Sequence, residues 1–122
     1  MYTENNDPYN FYYHTPQDQT QTHVHEFLGS TKLAGECHIR HDHRFSGVTG
    51  EAIPISGGGH KHTLFTNVDF FKNHYHQLAA ETGPAIPVGG GRHVHFAEAR
   101  TTFDYNHIHQ VIFATLIESP SS

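Results

Sequence analysis

The sequence predicts an all-β domain, rich in antiparallel strands and built from a repeat, as a sheet or a barrel-like structure. Three observations support this class. A long segment of the chain occurs twice, side chains alternate with a period of two, and glycine and proline mark the connections between the alternating segments. No segment has a convincing helical period, so we expect no helix of three turns.

The repeated segment is HDHRFSGVTGEAIPISGGGHKH at residues 41–62, which recurs as HYHQLAAETGPAIPVGGGRHVH at residues 74–95. The offset is 33 residues, because 74 − 41 = 33. Beyond His95 the same offset pairs His74 with His107 and Gln77 with Gln110. A pseudo-repeat therefore covers most of the chain after His23.

The period of two is clearest after each histidine pair. In residues 41–49, His43 and Phe45 fall on one face, whereas Arg44 and Ser46 fall on the other. The last such segment, residues 107–117, carries apolar side chains on both faces. We therefore expect that strand to be buried on both sides.

Twelve of the fourteen histidines occur in six His-x-His pairs. The pairs are His23 and His25, His41 and His43, His60 and His62, His74 and His76, His93 and His95, and His107 and His109. On a strand the two members of a pair project from the same side about 6.5 Å apart, so each pair is a two-nitrogen clamp. Two or three clamps suit a divalent transition metal such as Zn, Fe, Ni or Cu. These twelve histidines are the predicted metal ligands.

The spacing is compatible with two arrangements of the clamps. Within one chain, three units around a pseudo-threefold axis bring together the pairs that start at residues 23, 60 and 93, and separately those at 41, 74 and 107. Alternatively, a pair meets its symmetry mates from other chains. A ladder of histidines bonded to one another, without metal, is the alternative to both.

Three functions follow from a metal site. A structural protein that clamps metal without catalysis, and self-assembles into a homo-oligomer or filament, is the preferred hypothesis. A cupin-like metal enzyme is the first alternative, but Glu98 follows His95 too closely for the cupin spacing, and a catalytic site normally occurs once. A module that buffers metal reversibly is the second. No catalytic residue is predicted.

Composition limits the other possibilities. A chain of 122 residues suits one domain, and an apolar content of 35% suggests that something besides hydrophobic burial stabilises it. The formal charge of −5 argues against nucleic acid, and no apolar run is long enough to span a membrane. One cysteine, Cys37, excludes an internal disulfide, and the absence of a signal sequence predicts synthesis in the cytoplasm. Later export to a cell-surface or extracellular assembly is compatible with these features.

The chain is expected to divide at residue 22. Residues 1–22 form a polar arm without Lys or Arg, and residues 23–122 form the domain that carries the histidine pairs. Because the arm contains Phe11, Tyr12 and Tyr13, we expect it to contact another copy of the chain. The alternative is that the arm folds back on its own domain.

Several segments between His23 and Glu118 resemble the YmaF family of bacterial proteins. They are HVHEFLGSTKLAGE, HRFSGVTGEAIP, GGGHKH, FTNVDFF, TGPAIPVGGGRHVHF and IFATLIE. The resemblance implies a bacterial protein and assigns no biochemical activity. A shorter stretch, GGGHKHTL, is similar to the needles of phage long tail fibres, in which His-x-His pairs from three chains surround iron. That second resemblance corresponds to the arrangement between chains.

Overall fold

A computed structural model describes residues 21–35 and 39–120, and all regular structure in that part of the chain is β. The ten strands are β1 (Val24–Ser30), β2 (Arg44–Val48), β3 (Ile53–Pro54), β4 (His60–Lys61), β5 (Thr63–Asn67), β6 (Gln77–Glu81), β7 (Ala85–Gly89), β8 (Arg92–Arg100), β9 (Gln110–Ala114) and β10 (Glu118–Ser119). The all-β class is confirmed. The arm up to residue 20 and Cys37 lie outside the described residues.

Three antiparallel strand pairs form the body of the protein. β1 pairs with β2, β5 with β6, and β8 with β9. The short strands extend this body, because β10 adds to β1, β7 adds to β8, and β3 pairs with β4. All these pairings are antiparallel, as predicted. None of the four sheets in the described segments closes into a barrel, so the barrel-like alternative does not describe this fold.

The three strand pairs surround a shared interior. β2 contacts β5, β6 contacts β8, and β9 contacts β1, so each pair has the other two as neighbours. Two backbone hydrogen bonds of 2.8–2.9 Å cross each of these boundaries. At one end the bonds run from the amide of Gly50 to the carbonyl of Thr63, from Gly83 to Phe96, and from Leu116 to Glu26. At the other end they run from Asp69 to Arg44, from Thr102 to Gln77, and from Lys32 to Gln110. The ring of three pairs therefore closes through backbone contacts between sheets that remain separate.

The interior contains a small apolar core. Its members are Phe27, Phe45, Leu64, Val68, Leu78, Ala97, Val111 and Phe113. Large side chains face small ones across the strands, since Phe27 lies opposite Gly47 and Phe113 lies opposite Ala97. A Cβ at Gly47 would be 2.7 Å from Cζ of Phe27, closer than carbon atoms can approach. The absence of a side chain at Gly47 therefore gives the Phe27 ring its place in the core.

The predicted alternation is confirmed for residues 41–49, where His43 and Phe45 are buried and Arg44 and Ser46 are exposed. The expectation for the last strand was wrong. On its outer face Ile112 is 43% exposed and Leu116, just beyond the strand, is 47% exposed. The physical reason is the ring arrangement, in which each strand pair presents one face to the interior and no described element covers the other.

Buried threonines connect the histidines to the neighbouring strand. At five positions a threonine Oγ1 accepts a hydrogen bond of 3.0 or 3.1 Å from the backbone amide of a paired histidine. The threonines and their histidines are Thr49 and His25, Thr31 and His43, Thr82 and His62, Thr115 and His95, and Thr101 and His109. At the sixth equivalent position, beside His76, the residue is Val68. These bonds fix the strand ends at which the histidines lie.

We expect Thr115→Val to destabilise the fold. The substitution keeps the side-chain shape but removes the oxygen that accepts the His95 amide, and an unpaired buried donor costs about 1–3 kcal/mol. Urea denaturation of the metal-free protein measures the difference. Thr63→Val is the matched control, because Thr63 is exposed and lies on a strand in the same ring. Equal free energies of unfolding for the two variants would contradict this role of Thr115.

Candidate metal centres

The twelve paired histidines come together in two groups of six. Group 1 consists of His23, His25, His60, His62, His93 and His95, and group 2 of His41, His43, His74, His76, His107 and His109. In each group one ligand nitrogen from every ring lies within 4.8 Å of all the others. These are the sets that the arrangement within one chain brings together. Each group takes one pair from each of the three strand pairs.

The two groups lie at opposite ends of the apolar core. His25 of group 1 lies on β1, and Thr31, directly after β1, has its hydroxyl 3.2 Å from Nδ1 of His109 in group 2. Six residues of extended chain span about 20 Å at roughly 3.3 Å per residue. The core side chains fill the interval, because they are the residues that follow the histidines on the inward faces of the strands.

The six rings of each group are arranged as the corners of an octahedron. In group 1 every ring centroid is 4.5–5.1 Å from every other ring of the group except one. The exceptions form opposite pairs, namely His23 with His95, His25 with His60, and His62 with His93. Group 2 has the same pattern at 4.8–5.0 Å. Its opposite pairs are His41 with His76, His43 with His107, and His74 with His109.

Backbone carbonyls orient the rings from outside. In group 2 the Nδ1–H of every histidine donates to a carbonyl oxygen at 2.7–3.0 Å. The six acceptors are Ile39 for His41, Asp69 for His43, Lys72 for His74, Thr102 for His76, Tyr105 for His107 and Lys32 for His109. In group 1 the second histidine of each pair does the same at 2.9 Å. These acceptors are Leu116 for His25, Gly50 for His62 and Gly83 for His95.

A carbonyl oxygen can only accept, so Nδ1 carries the proton in these nine rings and Nε2 of the neutral imidazole has a lone pair. The Nε2 atoms point to the centre of their group, where several approach one another to 3.1–3.2 Å. Two lone pairs at that distance repel and cannot form a hydrogen bond. Nε2 of His62 is buried without any hydrogen-bond partner among the described residues. This geometry argues against the metal-free histidine ladder.

The spacing of the nitrogens suits a metal ion. An octahedron with edges of 3.1–3.2 Å has its centre about 2.2 Å from each corner, close to the metal–imidazole distances of about 2.0–2.1 Å found for zinc. The nitrogens are imidazoles, the ligands that Fe, Ni, Cu and Zn accept. The residues present therefore fit a divalent transition metal.

Burial disfavours the protonated form of eight of the twelve histidines. Loss of hydration is the main cause, and repulsion from neighbouring histidines adds to it. Together they lower the pKa of His23, His95 and His109 to about 4. The pKa values of His25, His43, His60, His62 and His76 are also lowered, mainly by burial. Neutral imidazole is the form that binds metal. These eight histidines are thus held in their metal-binding state at neutral pH.

The sequence did not point to the groups that orient the rings. Among them are three carboxylates near Nδ1 atoms, with Asp69 at 3.2 Å from His43, Asp104 at 3.4 Å from His76 and Glu118 at 3.5 Å from His93. Partners of this kind fix the tautomer and raise the basicity of a metal-binding imidazole. The acidic residues follow no repeat, and backbone carbonyls have no signature in a sequence. The recurrence of Thr-Gly at residues 49–50 and 82–83 is the signal for the Gly50 and Gly83 acceptors.

Stability of the metal-free protein is expected to fall in mild acid. The unfolded histidines have a pKa of about 6.5, whereas His23, His95 and His109 have a pKa of about 4 in the folded state. Between these values the unfolded chain binds more protons, so the stability that is complete above pH 6.5 is lost as the pH decreases toward 4. We therefore expect the melting temperature to decrease as the pH decreases from 6.5 toward 4.

Circular dichroism melting in chelator from pH 8 to pH 4 measures the effect. His109→Gln should reduce the decrease, since that ring no longer titrates. His14→Gln, which lies outside the six pairs, is the control and should leave it unchanged. A melting temperature that stays constant from pH 6.5 to pH 4 would contradict the lowered pKa values.

The fold and the two groups define a histidine-rich all-β protein with two places that could each hold a metal ion. The chain belongs to the YmaF family, since residues 20–117 match the family described as spore germination protein GerY/YamF. No curated protein and no solved structure gives a significant match. In the described segments no helix has the length and apolar character needed to cross a membrane.

Proposed function

We propose that this protein binds two divalent transition metal ions, one in each group, and uses them as structural centres. The observation that carries the proposal is the octahedral convergence of six Nε2 atoms from three separate strand pairs, with backbone carbonyls holding Nδ1. All twelve predicted ligands are assigned to these two centres. The ion would neutralise the mutual repulsion of lone pairs that the protein alone leaves unpaired.

The position of the groups supports a structural role. The strand pairs meet through a small core and a few backbone hydrogen bonds, which limits what hydrophobic burial contributes. An ion in group 1 links β1, the β4–β5 segment and β8 at one end of the core. An ion in group 2 links the segments preceding β2, β6 and β9 at the other end. Each centre would therefore hold all three strand pairs together.

The number of converging ligands supports a non-enzymatic centre. A catalytic metal retains an open coordination position for water or substrate, normally beside three protein ligands. Six imidazole nitrogens fill an octahedral ion completely. This also distinguishes the centres from a cupin-like site. The second candidate function is reversible metal buffering, which requires a centre that can open. The two groups differ in how firmly their outer histidines are held.

The six-coordinate arrangement also narrows the choice of metal ion. Structural zinc sites are almost always four-coordinate and tetrahedral, and Cu(II) prefers tetragonal sites. Among the predicted ions, Fe(II) and Ni(II) are the ones that suit six nitrogens with near-equal spacing. The family description supports a setting in spore germination. We propose that the chain serves there as a metal-stabilised, non-catalytic component.

Metal content tests the proposal directly. Protein purified without an affinity tag should contain two transition metal ions per chain in elemental analysis. The variant His60→Ala with His62→Ala removes two ligands of group 1 only and should contain one ion. Lys61→Ala is the matched control in the same hairpin, because it removes only an exposed ion pair with Glu81. Metal-free native protein that also fails to bind added Fe(II) or Ni(II) would refute the proposal.

Self-association into a homo-oligomer or filament remains part of the proposal. What supports it is the apolar outer surface of the strand pairs, where Leu28 and Phe65 are each 61% exposed and Phe96 is 50% exposed. Light scattering of the full chain should give a mass above that of one chain, and deletion of residues 1–20 should lower it. An unchanged mass after the deletion would show that the arm does not mediate association.

A further inference from the structure

The two groups hold their outer histidines differently. The outer histidines are the first members of the pairs, namely His23, His60 and His93 in group 1 and His41, His74 and His107 in group 2. In group 2 each outer Nδ1–H donates to the carbonyl two residues earlier, at 2.7 Å for Ile39, 3.0 Å for Lys72 and 2.8 Å for Tyr105. Among the described residues, no backbone carbonyl accepts such a bond from an outer histidine of group 1.

The local backbone explains this difference. In group 2, His74 and His107 each end a two-residue turn that is closed by two backbone hydrogen bonds of 3.0–3.2 Å. Both central residues have a positive φ, 54° and 66° for Lys72 and Asn73 and 52° and 64° for Tyr105 and Asn106. This is the type I′ turn, the tightest connection of a hairpin. The turn carries the carbonyl that holds the histidine ring.

In group 1 two of the three outer histidines, His60 and His93, follow runs of three glycines. Residues 57–59 precede His60, and residues 89–91 with Arg92 precede His93. Gly90 and Gly91 form a two-residue turn between the paired residues Gly89 and Arg92, so His93 lies one residue beyond the turn instead of closing it. All six glycines have a positive φ, and open space surrounds the Cβ direction of Gly57, Gly58, Gly89, Gly90 and Gly91. A glycine run has more conformational freedom than any other sequence. These connections can therefore move without displacing packed side chains.

Aromatic side chains also cover group 2. The Tyr105 ring stacks on His74 with centroids 4.8 Å apart and an angle of 18°, and Phe71 lies 5.8 Å from His41. His41 and His74 are only 6% and 5% exposed, and of the outer histidines of group 2 only His107 is half-buried, whereas all three outer histidines of group 1 are half-buried. Water and chelators thus reach the outer ligands of group 1 more easily.

We infer that group 1 is the exchangeable metal centre and group 2 the permanent one, an inference that rests on the proposed function. A six-coordinate ion leaves by losing one imidazole at a time. An outer ring of group 1 can turn away without breaking a hydrogen bond to a backbone carbonyl, and the carboxylate of Glu118, 3.5 Å from Nδ1 of His93, is the one acidic partner of these three rings among the described residues. In group 2 the same movement breaks such a bond, and for His74 it also unstacks the Tyr105 ring. Group 1 would then respond to the supply of divalent metal while group 2 maintains the fold.

Chelator competition on the full chain tests this inference. The protein is loaded with two equivalents of Ni(II), which accepts six nitrogen ligands, and release into excess EDTA is followed by absorbance. We expect two phases of one equivalent each. Loss of an outer-shell partner lowers metal affinity by about 10- to 100-fold, so the fast phase should be at least about tenfold faster than the slow one.

Paired variants show which group of histidines releases its metal in each phase. His60→Ala with His62→Ala should abolish the fast phase and retain the slow one, whereas His74→Ala with His76→Ala should do the reverse. Tyr105→Ala should accelerate only the slow phase and Tyr105→Phe should not, which tests the assignment without removing a ligand. A single phase of two equivalents, or acceleration of the fast phase by Tyr105→Ala, would overturn the inference and leave the proposed function intact. Binding of fewer than two Ni(II) ions would refute both.

Discussion

The hydrogen bond from Nδ1–H to a backbone carbonyl is the interaction on which both centres depend. A neutral imidazole has one proton, and in nine of the rings a carbonyl places that proton on the outer nitrogen. The inner nitrogen is then an acceptor with no donor to meet. Six inner nitrogens face one another at each end of the molecule, and a carbonyl fixes the proton in all six rings of group 2 and in three rings of group 1. Burial opposes the protonation of eight of the twelve rings. A cation with six coordination positions is what satisfies this arrangement.

The same bonds couple the centres to the fold. The carbonyls that hold His25, His62 and His95 belong to Leu116, Gly50 and Gly83, which lie where one strand pair meets the next. The amides of the same three residues donate three of the backbone hydrogen bonds that close the ring. Each of these residues therefore joins two strand pairs with its amide and orients a histidine with its carbonyl. The residues that close the ring of strand pairs therefore also position the ligands.

The chain departs from strict repetition at one threonine position, in the core and in the connections before the ligands. Val68 replaces the threonine found at the five equivalent positions, and core positions alternate between phenylalanine, leucine, alanine and valine. Large and small residues complement one another across the interior, as with Phe27 and Gly47. The connections differ as well, since His74 and His107 of group 2 each close a two-residue turn, whereas His60 and His93 of group 1 follow glycine runs and close no such turn. Two centres with the same ligands can thus have different properties.

The sequence by itself determined the local features of this protein. The period of two along each segment predicts strands, because successive side chains on extended backbone point to opposite sides. The His-x-His spacing places both rings of a pair on one face for the same reason, and in the structure both members of every pair lie in the same group. The single-chain and inter-chain arrangements, however, could not be distinguished from spacing, since both use identical pairs.

Tertiary structure alone decided which pairs meet, how many nitrogens converge and which nitrogen carries the proton. These depend on contacts between distant residues, such as the bond between His25 and the carbonyl of Leu116, 91 residues apart in the chain. The exposure of Ile112 and Leu116 also depends on contacts between distant parts of the chain. An apolar residue on a strand is buried only where another element covers it, and the ring of three strand pairs covers one face alone.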